Sequence, residues 1–145
     1  MLGPHSPPSE MAARYELYRH ELEAHGHTFA GREVPMTRFI AVATSDREAE
    51  EVARRGARWL VDSYVNQSKS PAALAAVTRG RSQGAGVVDP VEAYLDGIIV
   101  HGSPPRVIDT LHRLQEEMFL DHLMCAPLSH ASFLMFTEKV MPHFQ

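Results

Sequence analysis

Cysteine is almost missing from this chain. Cys125 stands alone among 145 residues, which excludes an internal disulfide framework and fits a reducing compartment. No excess of basic residues appears: 14 Lys plus Arg face 18 Asp plus Glu, giving a net charge of -4. With no basic run either, a nucleic-acid binder is not expected. No window holds about 18 uninterrupted apolar residues, so no membrane span is expected. The start lacks a basic region followed by an apolar stretch, so no secretory signal is read there, and the expected address is the cytoplasm. The length is also short of the roughly 250 residues of a complete (β/α)8 barrel. What is present is ordinary globular material, 44% apolar and 22% charged, enough for one domain with one sizeable core.

Residues 1–8 (MLGPHSPP) carry three prolines and read as a disordered lead-in. Ser9 then caps a helix to about His25, with Met11, Tyr15, Tyr18 and Leu22 on one face and Gly26 as its stop. Residues 38–44 (RFIAVAT) form a short apolar run, read as a buried strand. The capping box Ser45-x-x-Glu48 opens a helix to about Tyr64, with Ala49, Val52, Ala53, Gly56, Leu60 and Tyr64 inward. Residues 66–89 break the pattern: a short helix is expected over 72–77, then a glycine-rich loop at Gly80, Gly84 and Gly86. No Gly-Lys-Ser/Thr follows those glycines and no strand precedes them, so neither phosphate-loop template fits.

Asp89-Pro90 starts a short helix. A second strand is expected at 97–101 (GIIVH). Ser103 and Pro104 then begin a helix whose apolar face is Val107, Leu111, Leu114 and Met118. A third strand is expected at 122–126 (HLMCA). Ser129 caps a final helix with Phe133, Phe136 and Val140 inward. Alternating strands and helices imply a parallel sheet with right-handed crossovers. Three such strands cannot close a barrel. Alone they expose two edges and leave one face without a covering layer, so the chain is expected to be part of something larger.

Three stretches carry a resemblance: VPMTRFIAVATSDREAEEVARRGARW (34–59), GIIVHGSPPRVIDTLHRLQ (97–115) and DHLMCAPLSHASFLMFTEKVMPHF (121–144). In order and spacing, from about Tyr15 onward, the chain resembles the C-terminal half of the luciferase-like flavin-dependent monooxygenases. That family includes reductases using a deazaflavin coenzyme. The resemblance implies an α/β fold, a partial (β/α)8 TIM barrel of about three parallel strands with flanking helices. Residues 9–145 would be the C-terminal half of the barrel and 66–96 an insertion-like region. It implies FMN or a deazaflavin coenzyme as cofactor and a small organic molecule as substrate, with no counterpart for the first five strands. The implied partner is a second copy of the chain or a complementing N-terminal half.

Function in a barrel sits at the C-terminal ends of strands. The residues there are 43–45, 101–103 and 126–130. His101, at a strand end, and His130, in the loop after the last strand, are the catalytic candidates. Gly102 and Ser103 are the cofactor-binding candidates, since a hydroxyl at a helix start can hold an anion. A plain N-cap is the simpler role for Ser103, and Pro104 and Pro105 remove two donors. His130 beside Ser129 lacks the surroundings of a hydrolase nucleophile. His20, His25 and His27 cluster without a Cys or paired carboxylate, so no metal is expected. Trp59 is expected in the core, and Cys125 is expected to be a buried, inert thiol. Three readings stay open: an oxidoreductase represented by its C-terminal half, a non-catalytic half-barrel module that dimerises or serves as a structural subunit, and a truncated gene product.

Overall fold

The computed structural model describes residues 4–66, 89–118 and 122–144. The helix expected over 72–77, the glycine-rich loop and most of the insertion-like region lie outside the described residues. Along the chain run α1 (Pro8–Ala24), β1 (Met36–Val42), α2 (Asp46–Leu60), α3 (Pro90–Gly97), β2 (Ile99–Gly102), α4 (Pro104–Met118), β3 (Leu123–Pro127) and α5 (His130–Met135). α2 continues as a π turn, Val61–Asn66. α5 continues as a π turn, Phe136–Val140, and a 3-10 turn, Met141–Phe144.

All three strands are parallel and form one open sheet of order β2-β1-β3. Phe39 pairs with Ile99 on one side and with Ala126 on the other. An arc of consecutive barrel strands would lie in chain order; here the first strand takes the centre. The chain therefore steps one way from β1 to β2 and back across β1 to reach β3. Right-handed crossovers in opposite directions put the connecting helices on opposite faces, and the core divides accordingly. On one face Ile40, Val42 and Val100 pack with Val107, Leu111 and Leu114 of α4, with Phe136 and Val140 beyond α5, and with Met11 of α1. On the other, Ala41 and Ile99 pack with Ala53, Ala57 and Leu60 of α2 and with Ala93, Tyr94 and Leu95 of α3.

The uncovered face expected from three strands is thus not found. The chain's own helices roof the sheet on both sides over β1 and β2, because the reversed step sends α4 to the face α2 does not occupy. Cover lapses at β3, where Met124 is exposed on the α2 side. Both outer strand edges lack a partner strand among the described residues.

Local chemistry fixes the helix starts. Ser45 caps α2, its hydroxyl accepting from the Glu48 N–H at 3.3 Å. Ser129 caps α5, accepting from the Ser132 N–H at 3.1 Å. Asp89 caps α3 through the Val91 N–H. α1 begins at Pro8, one residue before the expected cap, because Pro at the first position is already set for a helix. It buries only Met11 and Tyr15 and carries ion pairs along its exposed side. The expected free lead-in over 1–8 is tied to the fold at His5 and Ser6. The His5 ring is hydrogen-bonded to the Tyr94 hydroxyl at 2.7 Å and lies against Phe39, Tyr64 and Tyr94.

Several inward assignments shift. Trp59 is 61% exposed and Tyr64 is exposed with it, the two rings meeting edge to face. Ala57 takes the inward place instead, beside Ala53 and Leu60. Gly56 lets α2 approach the β3 rim: a Cβ there would meet Leu128 Cδ1 at 2.6 Å. Phe133 and Leu134 are exposed; the inward stripe is Ser132, Phe136 and Val140, four residues apart, so Ser132 takes the place expected for Phe133.

Candidate functional site at the strand ends

Parallel strands bring their C-terminal ends to one side of the sheet. Residues 43–45, 101–103 and 128–130 lie at or just past the three strand ends there, His101 and Gly102 being the last two residues of β2. His101 is the third residue of β2 and His130 lies three residues past the end of β3, with β1 between those two strands.

His101 is half-buried and lies opposite Ala41 in the register. Its Nδ1 is buried without a hydrogen-bond partner. Burial pushes its pKa below the usual histidine value, Arg106 adds to that, and a hydrogen bond to the Leu95 backbone with the Glu50 and Asp46 carboxylates pulls the other way. The imidazole is therefore neutral at pH 7 and carries one free polar atom at the strand end. His130 is exposed, stacked on Phe133 with ring centroids 6.4 Å apart.

Gly102 has φ +152°, and a Cβ there would meet the Arg106 side chain at 2.8 Å. Only glycine suits that backbone and that closeness. Ser103 donates its N–H to Asp46 Oδ1 at 2.7 Å and its hydroxyl to the same oxygen at 2.8 Å. Arg106 reaches Asp46 Oδ2 at 3.2 Å. The donors at the start of α4 thus already hold an anion, the chain's own Asp46. Those bonds, the Ser103 backbone N–H first, keep Asp46 below the ordinary carboxylate range. Asp46 follows the α2 cap, so this one carboxylate ties the starts of α2 and α4 together. Thr44 donates to Glu48 alongside and, as the largest cause, holds that carboxyl low as well.

The β3 end is built differently. Ser132 is fully buried; its hydroxyl accepts from the Val42 N–H at 3.1 Å and donates to the Val42 carbonyl at 3.0 Å. Ser129 donates to the Ser132 oxygen at 3.0 Å. This chain of hydroxyls pins α5 to the end of β1. The sequence reading missed both Asp46 and Ser132. Asp46, an acid in the first turn of a helix, was a readable signal; its partner 57 residues away was not.

Cys125 is half-buried, and burial pushes its thiol up to about 11, so it is protonated and unreactive at neutral pH. Among the described residues, no group of three or more His, Cys, Asp or Glu converges as a metal site. No described helix is long and apolar enough to cross a membrane.

Comparison with known proteins adds a family profile. The profile described as luciferase-like monooxygenase matches residues 1–121. No curated protein sequence matches the chain. Among solved structures, the oxygenating constituent of 3,6-diketocamphane monooxygenase from the CAM plasmid of Pseudomonas putida, in complex with FMN, aligns with TM-score 0.67 at 17% identity, over 94% of this chain and 41% of that one. The coenzyme F420-dependent tetrahydromethanopterin reductase from Methanopyrus kandleri aligns with TM-score 0.62 at 15% identity, over 97% and 44%. A riboflavin lyase with modified FMN and riboflavin aligns with TM-score 0.59 at 20% identity, over 99% and 37%. At such identities the likeness is one of fold, and the chain spans about two-fifths of the length of the structures it matches.

Proposed function

The chain belongs to the luciferase-like monooxygenase family, and from that premise we propose that it supplies part of the site of a flavin- or deazaflavin-dependent oxidoreductase acting on a small organic substrate. The observation that carries the reading is His101: a neutral imidazole at a strand end, with its Nδ1 buried and unpartnered. A flavin site asks little more of the protein than a slot, a few polar groups and exclusion of water, since the bound cofactor supplies the redox chemistry.

The residues fit one portion of such a cofactor and not another. With its other ring nitrogen hydrogen-bonded to the Leu95 backbone, the neutral His101 leaves Nδ1 as an acceptor, where a ring N–H would find a partner. Gly102 keeps the adjacent backbone free of a side chain, and a Cβ there has no room. The Ser103 donors are held by Asp46, so a cofactor phosphate is not assigned to the start of α4. His130 lies on the far strand end, exposed and stacked on Phe133, and is assigned to the substrate side of the rim. The remaining cofactor contacts come from a complementing chain or a second copy.

A second reading has its own observation. Because Asp46 fills the anion position and both sheet faces are roofed over β1 and β2, the chain also suits a non-catalytic module that associates through its strand edges. Titration with FMN and with the deazaflavin coenzyme, followed by absorbance and fluorescence, separates the two. A shifted flavin spectrum that His101→Ala weakens supports the oxidoreductase. No spectral change in either titration, with a discrete dimer on a sizing column, overturns it in favour of the module.

A further inference from the structure

Arg38 is a charged residue inside an apolar strand. It alternates with Met36, Ile40 and Val42 on the face that packs α4 and α5, and it is 1% exposed. Its Nη1 donates to the Ser6 carbonyl at 2.8 Å, and its Nη2 is buried with no hydrogen-bond partner. Burial alone drives its pKa down, to about 10, which still leaves it charged at neutral pH. A buried guanidinium with one backbone contact and a bare nitrogen is costly to keep.

A cavity of about 140 Å³ lies beside it, along the outer side of β2. His101, whose Nδ1 is the second orphaned side-chain nitrogen, lines the same cavity. Arg106, Thr110 and Arg113 of α4 complete the polar wall. Arg106 is held by Asp46, and Arg113 has no ion pair among the described residues. Asp96 is the carboxylate on this wall, and three guanidinium groups outnumber it. Residues 67–88 contain no Asp or Glu to neutralise the excess.

We propose that this cavity is a binding site for a small phosphate-type oxyanion, held by Arg38 Nη2 and the Arg113 guanidinium; the Thr110 hydroxyl on the wall already donates to the Arg106 carbonyl at 2.8 Å and is not counted as a ligand. Guanidinium groups match oxyanion geometry, and charge-assisted bonds in a sheltered place are the strong ones. The site borders the Ser103–Asp46 contact through Arg106 and shares His101 with the flavin reading, but the groups that hold the anion, Arg38 and Arg113, take part in neither, so it does not rest on that reading.

The full chain is titrated with inorganic phosphate at fixed ionic strength, read by calorimetry and by the thermal midpoint against a chloride series. Phosphate raises the midpoint and matched chloride does not. Arg113→Gln weakens phosphate binding about tenfold or more, the loss of one charge-assisted contact. Arg38→Met, which keeps the volume and removes the buried charge, abolishes it. Circular dichroism checks that this variant folds; if it does not, Arg113→Gln decides. Equal midpoint shifts in phosphate and chloride overturn the proposal. So does undiminished phosphate binding in Arg113→Gln or in a folded Arg38→Met.

Discussion

The starts of α4 and α5 look alike in sequence, each a serine with a proline nearby at the end of a parallel strand, yet they are built on opposite principles. At α4 the serine gives its donors to a carboxylate from another helix, in the open, with Arg106 completing a charged cluster. At α5 the Ser132 hydroxyl, itself accepting from Ser129, satisfies both polar groups of Val42, with no charge involved. The first contact is exposed to water and salt, where ion pairs contribute little. The second is sealed, where a missing partner costs the full desolvation of what it leaves behind. Similar motifs therefore predict similar helix starts but not similar energetics; burial decides which one the fold depends on.

Five changes would break or sharpen that contrast, the most damaging first. Gly102→Val puts a branched side chain at φ +152° and against Arg106, and is expected to cost about 2–4 kcal/mol, measured by chemical denaturation. Ser132→Ala leaves the Val42 N–H and carbonyl unsatisfied in the core and is expected to cost about 1–3 kcal/mol; a loss below a few tenths would contradict the sealed contact. His101 binds its proton less readily when folded, so the unfolded chain takes up more protons below about pH 6.5 and stability falls with pH there. His101→Gln should flatten that part of the curve of thermal midpoint against pH.

Asp46 has the opposite sign. Its carboxyl is depressed in the fold, so its contribution is present above the unfolded value near 3.9 and is lost as pH falls through the folded one. Asp46→Asn should narrow the midpoint difference between pH 6 and pH 3 and weaken its dependence on salt. His130→Ala touches only an exposed ring stack and should change stability by less than about 0.5 kcal/mol. A larger change would mean that the β3 rim relies on that stack.

The elements were legible because their signals are local. Ile and Val in short runs mark the strands, and Ser45, Asp89 and Ser129 stand where caps belong. Strand order was not legible, since RFIAVAT says that a strand is buried on both faces without saying which neighbours bury it. Trp59 and Phe133 went astray for a related reason: apolar identity states a preference for cover, not that a partner is there. At the site, His101, Gly102 and Ser103 were found by position at a strand end. Arg38 was readable as a charge in phase with Met36, Ile40 and Val42, and the apolar run around it drew attention away.

The placement of β1 at the centre of the sheet also sets a timetable. Thr37 meets Met124 across 87 residues of chain, so during synthesis the first strand must wait for nearly the last before its second edge is paired. Contacts that distant are slow to form because a long loop must close first. Until then the β1–β2 pair and its alanine-lined helix can form, while the flank of β1 that later takes β3 stays without its strand partner.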